Sequence, residues 1–328
     1  MASPLLSLFT GRSWARAVET IAPQRTFADV ILPAETRRSL DDALAQVRNH
    51  SLIFTRWGLG ERHSVGLGLA FNFVGPPGTG KTICAEAIAN SLGMKLLVVN
   101  YAEVESMWAG ETPKNIVAAF RSATEQRALL LFDEADAIAG RRSTVAANLP
   151  YQREANITVN VLLRELESFN GVVIFATNLA ANFDPAFERR IRAHVRFEMP
   201  GLAEREQIWK VQIHPHKTPL ARDVDFRALA EKFAVSGGDI KNAVLKAAAA
   251  AAADPRPERS KQIHQEHFER AMADVMAAKE VMQQSLFRDQ DPVVQAIARM
   301  ERRMYGAAVI AATSLIVALF ALAMVLVR

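Results

Sequence analysis

The chain has 328 residues, half of them apolar and about a quarter charged, with 39 Lys and Arg against 35 Asp and Glu for a net charge of +4. This composition excludes global disorder, and so mild a positive excess does not by itself point to nucleic acid, whose recognition needs a local basic patch. Cys84 is the single cysteine, which excludes a disulfide within the chain and favours a reducing compartment.

Residues 1–25 read as an N-terminal arm. Arg12, Arg16, Ser3, Ser7 and Ser13 precede the first acid, Glu19, a pattern weakly suited to a transit peptide or a surface-seeking helix. The apolar run from Pro4 to Phe9 is too short for a secretion signal. Across residues 26–200, apolar runs alternate with helical patterns. Strands are expected at Leu69–Val74, Lys95–Val99, Ala128–Phe132, Val172–Ala176 and His194–Phe197, and helices at Lys81–Ser91, Pro113–Glu125 and Ile157–Ser168. Strands this apolar belong to a parallel sheet covered on both faces. After Pro200-Gly201 the pattern is helical throughout, with Ala203–Gln212, Phe226–Phe233, Gly238–Ala253 and Gln265–Gln284 forming a lid domain over residues 201–282. Asp254-Pro-Arg-Pro257 forces a break within it. A helical connector, residues 283–305, leads to the last segment.

From Gly306 to Val327 there are 22 residues without a charge. A helix of that length spans roughly 33 Å, enough for a hydrocarbon core. Arg299, Arg302 and Arg303 flank its N-terminal side, so the positive-inside rule leaves the preceding residues in the cytoplasm. The expectation is a single-pass tail anchor in a lipid bilayer, with a bacterial inner membrane favoured. The fold class is thus α/β: a parallel sheet sandwiched by helices, a C-terminal helical lid and one transmembrane helix.

The residues that carry chemistry begin at Gly75-Pro-Pro-Gly-Thr-Gly-Lys-Thr82, between an expected strand and an expected helix. Its glycines let backbone N–H groups curl around phosphate oxygens, Lys81 reaches the β- and γ-phosphates, and the Thr82 hydroxyl suits Mg²⁺. Nucleotide contacts are expected from Gly75, Pro76, Pro77, Gly78, Thr79, Gly80, Lys81, Thr82 and Ile83. Some fifty residues on, Leu129-Leu-Leu-Phe-Asp-Glu-Ala-Asp136 is a buried strand delivering two acids. Asp133 suits the metal's surroundings, and Glu134 suits a base that activates water, which predicts ATP hydrolysis as well as binding. Val173-Ile-Phe-Ala-Thr-Asn178 is a second buried strand, ending in an amide placed to contact the γ-phosphate.

With Asp184-Pro-Ala-Phe-Glu-Arg-Arg-Ile-Arg192, these blocks resemble the AAA clade of the AAA+ ATPases over about residues 26–282. The resemblance implies a homo-oligomeric ring, usually of six subunits, with ATP at each subunit boundary. It makes Asn178 the first sensor, and Arg189 and Arg192 the fingers that reach a neighbour's γ-phosphate. Where the family usually has Pro-Gly between these arginines the chain has Arg190-Ile191, so Arg190 is free to pair with an acid at the interface. Ser236-Gly237-Gly238-Asp239 resembles the turn that opens the third lid helix near the adenine, with Gly238 as a nucleotide contact and Lys241 near the second-sensor position of other clades. Met107, Trp108, Ala109 and Gly110 occupy the slot of the family's pore loop, which grips a threaded polypeptide. Trp57-Gly-Leu-Gly60, Glu154–Glu167 and Arg189-Arg-Ile-Arg192 are similar to bacterial AAA ATPases, including some found alongside contractile injection systems.

The reading that follows is a membrane-anchored, ATP-driven remodeller of protein substrates. The alternatives are a nucleic-acid-remodelling ATPase and an assembly ATPase for an injection or phage-tail-like apparatus. Nucleic acid is not expected as a partner, because the pore slot is aromatic rather than basic. The H-E-x-x-H pattern of a zinc protease does not occur in the sequence. About 70 residues precede the phosphate-loop strand, so specificity is expected from that short arm, from partners or from membrane proximity.

Overall fold

The computed structural model describes residues 18–62, 68–100, 111–137, 150–178 and 184–281. The chain divides into two units, Met1–Glu269 and Arg270–Arg328. Of the second, the described residues, 270–281, are helical.

Six strands form one sheet: β1 (Val18–Ile21), β2 (Leu69–Val74), β3 (Lys95–Asn100), β4 (Ala128–Asp133), β5 (Val172–Thr177) and β6 (Ala193–Arg196). Their order is β1-β3-β4-β5-β2-β6. All pairings are parallel except β1 with β3, which is antiparallel, Val18 facing Val99 and Ile21 facing Leu96. The expected all-parallel sheet is therefore corrected to a mixed one. The extra strand lies within the stretch read as an arm; its partner is almost eighty residues away and half of its Val-Glu-Thr-Ile sequence is polar, so no local pattern announces it.

Before β2 comes α1 (Ala34–Arg48), and between the later strands lie α2 (Lys81–Ser91), α3 (Glu111–Gln126) and α4 (Pro150–Ser168). The last begins seven residues earlier than Ile157. Pro150 is tolerated at a first helical position, and the following Gln152, Arg153, Glu154 and Ala155 are good helix formers without an apolar stripe, so periodicity alone undercounts it.

Consecutive strand residues feed opposite cores. Leu130, Phe132, Val173 and Phe175 pack with Ile116, Phe120 and Leu162 of α3 and α4. Leu129, Leu131, Ile174 and Phe73 pack with Leu40, Leu44, Cys84 and Ile88 of α1 and α2. Both faces are buried, which is why β4 and β5 read as unbroken apolar runs. Each fully buried Phe or Leu contributes about 1.5–3 kcal/mol relative to exposure.

The chain preceding α1 is fastened to α2. Glu86 Oε1 accepts hydrogen bonds from the amides of Gln24 (2.9 Å) and Arg25 (3.2 Å), and Asn90 donates to the Arg25 carbonyl at 2.8 Å.

After Pro200, in the region expected to form a lid, come α5 (Leu202–Val211), α6 (Phe226–Lys232) and α7 (Gly237–Ala252). Asp225 caps α6 by accepting from the amides of Arg227 and Ala228. A capping box between Ser236 and Asp239 starts α7. Trp209 and Phe268, both fully buried, meet edge to face at 5.6 Å in the lid core. Arg205 donates to the carbonyls of Pro200 (2.8 Å) and Ala230 (3.0 Å), tying the start of α5 to the segment that follows β6 and to α6.

Among the described residues no helix is long and apolar enough to cross a membrane. The expected connector over 283–305 and membrane helix over 306–327 lie outside the described residues, as do Met107, Trp108, Ala109 and Gly110.

Candidate functional site

β2 ends at Val74, and Gly75-Pro-Pro-Gly-Thr-Gly80 turns directly into α2, whose first two residues are Lys81 and Thr82. Gly78 and Gly80 have φ of +76° and +98°, left-handed values that a Cβ resists. The open N–H groups of a helix start then lie at the end of the loop, a ready seat for phosphate oxygens.

Lys81 is only 8% exposed. Its Nζ donates to the carbonyls of Gly75 (2.7 Å) and Pro76 (2.9 Å) and to Asn178 Oδ1 (2.9 Å). Burial lowers its pKa below the ordinary lysine value, against the opposing pull of the Asp133 and Asp136 carboxylates. An ammonium held by three neutral oxygens in a confined site gains when an anion takes their place.

Facing the loop, β4 delivers half-buried Asp133 and exposed Glu134. Thr82 Oγ1 donates to Asp133 Oδ2 at 3.2 Å. This pair of hard oxygens from two facing elements fits magnesium. Glu134 has φ +53°, uncommon for any residue but glycine, and its amide donates to Asp133 Oδ1 at 3.0 Å. Thr177, at the end of β5, donates its hydroxyl to Asp136 Oδ1 at 2.8 Å, and Asn178 follows it. The structure thus brings together Lys81, Thr82, Asp133, Glu134 and Asn178.

Beside the loop opens a cavity of about 260 Å³. Its lining includes Gly78, Thr79, Gly80, Lys81, Thr82 and Ile83 from the loop and the start of α2, with Gly238 and Lys241 from the helical region. It also includes the apolar Val30, Ile31, Leu32, Pro33, Ile208 and Val211, next to Asp29, Glu198 and Gln212. It has the character of a slot for a flat base next to a phosphate seat. The lid is docked there by the Gly238 amide, which donates to the Gly78 carbonyl at 2.9 Å. A Cβ on Gly78 would come within 2.6 Å of Ser236 Oγ. The apolar wall was missed in the sequence: Val30-Ile-Leu32 is a short run ended by a proline, and nothing local ties it to Ile208 and Val211.

Arg189 and Arg192 lie elsewhere. A 3-10 turn, Pro185–Phe187, starts from Asp184, whose side chain accepts from the Ala186 amide. Phe187 and Ile191 are buried in the core while Arg189 and Arg192 are exposed. The Arg192 amide donates to the Ala70 carbonyl at 3.0 Å, near the beginning of β2, whereas the phosphate loop follows its end. The arginines and the loop therefore lie at opposite ends of β2. Arg190 forms an ion pair with Glu167 of its own chain and donates to the Ala186 carbonyl at 2.8 Å, in place of the interface pairing the sequence left open.

Residues 71–200 match a family described as "ATPase family associated with various cellular activities (AAA)". The chain is 35% identical over 268 residues to Protein CdcH of Halobacterium salinarum, covering 79% of this chain and 34% of that protein. It is 33% identical over 247 residues to ATP-dependent zinc metalloprotease FtsH 3 of Sphaerobacter thermophilus, covering 73% and 48%. With the Cell division cycle protein 48 homolog of Archaeoglobus fulgidus it shares 38% identity over 175 residues, covering 51% and 23%. The chain thus spans between about a third and a half of the first two relatives and about a quarter of the third.

Proposed function

Residues 71–200 form an ATPase domain of the AAA family, and on that premise we propose that the chain is a motor that hydrolyses ATP at boundaries between its own copies and uses the work to remodel protein substrates at a membrane. The observation that carries this reading is the meeting of loop, acidic strand and sensor: Lys81 Nζ lies 2.9 Å from Asn178 Oδ1, and Thr82 Oγ1 lies 3.2 Å from Asp133.

In this reading the base lies in the cavity between Val30–Pro33 and α5, and the phosphates lie along Gly75–Ile83. Lys81 exchanges its carbonyl partners for the β- and γ-oxygens. Thr82 and Asp133 would hold magnesium, which when bound offsets phosphate charge. Glu134 takes a proton from water as the water oxygen bonds to the γ-phosphorus and the bond to the bridging oxygen of ADP breaks. Asn178 orients that water against the γ-phosphate. Arg189 and Arg192, at the other end of β2, serve the site of an adjacent copy, which makes a closed ring, six-membered in this reading, the functional unit.

The membrane component rests on the uncharged Gly306–Val327 stretch and its arginine flank; it places the ATPase part in the cytoplasm, at a bacterial inner membrane. Met107–Gly110, with Trp108 as the gripping side chain, would contact substrate in the ring pore. The work is used to unfold or extract clients. Glu134→Gln tests the reading: the variant should bind ATP, fail to turn it over, and retain clients identifiable by proteomics of native membranes. Normal turnover in that variant would remove Glu134 as the base. Release of the chain from membranes by alkaline carbonate would remove the anchor.

A further inference from the structure

We propose that Asp136 and Thr177 are positioning residues, whose mutual hydrogen bond fixes the spacing between the general base and the sensor amide. The inference rests on the reading of Glu134 as base and Asn178 as sensor, and adds two residues to which neither role belongs.

The parallel ladder between β4 and β5 pairs Leu130 with Val173, Leu131 with Ile174 and Phe132 with Phe175. It goes no further, yet the chemistry lies just past it, at Glu134 on one chain segment and Asn178 on the other. Beyond the ladder, Thr177 Oγ1 donates to Asp136 Oδ1 at 2.8 Å. Thr177 is 1% exposed and Ala135 is fully buried, so the bond joins two segments anchored in the core. Asp136 sits in the 3-10 turn Ala135–Ala137, two residues after Glu134, and Thr177 immediately precedes Asn178.

The lever arms on both sides are therefore one or two residues long. Glu134 itself holds a left-handed φ of +53°, a conformation a non-glycine residue keeps only when its surroundings enforce it. The turn clamped by Asp136 is such a surrounding. Asp136 also contributes to the field at Lys81, so the clamp faces the same site from which Lys81 reaches Asn178.

Breaking the bond should alter the chemical step and leave binding alone, since neither residue lines the base cavity. In the full chain, Thr177→Val, which keeps shape and removes the donor, should lower kcat by about tenfold to a hundredfold, the range for losing a hydrogen bond to a charged acceptor. Affinity for a fluorescent ATP analogue should stay within twofold. Thr177→Ser restores the hydroxyl and should recover most of the rate. Asp136→Ala reads the same link from the other side and serves if the valine variant folds poorly; the double variant should be no slower than either single one. Turnover of Thr177→Val or Asp136→Ala within twofold of the parent overturns the proposal. So does a parallel loss of kcat and affinity that Thr177→Ser fails to rescue, which marks a merely structural contact. Glu134→Gln measured alongside separates the two claims: if it turns over normally, the base assignment fails; if it is inactive while Thr177→Val is fast, only the clamp fails.

Discussion

Consider the chain in which Arg189 is replaced by Ala. The Arg192 backbone is bonded to Ala70, and five residues of extended chain separate Ala70 from Gly75, roughly 16 Å at the strand rise. A guanidinium acting on a phosphate must sit within about 3 Å of its oxygens, so Arg189 does not reach the loop of its own chain, and on the proposed reading it serves the loop of another copy. A finger arginine is worth about 10³–10⁵ in kcat. Arg189→Ala should therefore lose at least about a thousandfold in turnover while nucleotide affinity stays within twofold. Lys81→Ala should be silent because it no longer binds nucleotide. Mixed in equal amounts, the two silent variants should regain activity. In a randomly mixed ring about a quarter of the boundaries join an intact loop to an intact arginine. The assay is coupled ATP turnover across mixing ratios, with two tags to verify co-assembly. Co-assembled chains that stay inactive at every ratio, or an Arg189→Ala chain at the parental rate, would refute catalysis across the boundary.

Three further outcomes follow from local geometry. Gly78→Ala combines a left-handed φ, costing about 1–2 kcal/mol, with displacement of the Ser236 cap, about 1 kcal/mol. The thermal midpoint should drop by about 3–5 °C, and adding Ser236→Ala should cost less than the two singles together; an unchanged melt disproves the strain. Cys84 is buried in the core, which pushes its thiol up to about 12. Iodoacetamide at pH 8 should leave it unmodified in the folded chain and label it after denaturation; rapid labelling of the native chain contradicts this. The Arg256 side chain and amide hold the Asp254 carboxyl down to about 2 from 3.8. A depressed carboxyl stabilises the fold above about pH 4 and loses that contribution as pH falls towards 2; an Asp254 carboxyl titrating near 4 by NMR removes the effect.

How much of this was legible beforehand depends on the range of the interaction. Strands β2, β4 and β5 are buried on both faces, so their apolar runs stand out within a few residues, and Gly75–Thr82 announces itself because strand, loop and helix start are contiguous. Asp133, Glu134 and Asn178 could be placed because each ends such a strand. β1 was invisible, since four half-polar residues become a strand only beside β3. The base cavity was equally hidden: Val30–Pro33, Ile208 and Val211 are separated by some 180 residues and acquire a common purpose only when the lid folds back. Arg190 shows the same limit. Three neighbouring arginines look alike in sequence, and the presence of Glu167 within reach distinguishes one of them.

The grip of Glu86 and Asn90 on Gln24 and Arg25 gives α2 two working ends. Its first turn carries Lys81 and Thr82; its last two turns clamp the incoming chain. At eleven residues, roughly 16 Å, such a rod transmits a push nearly undamped. The stretch between β1 and α1 is thus held at two places, by β3 through Val18–Ile21 and by α2 through Gln24 and Arg25, and the helix that fastens it is the one that opens with Lys81 and Thr82.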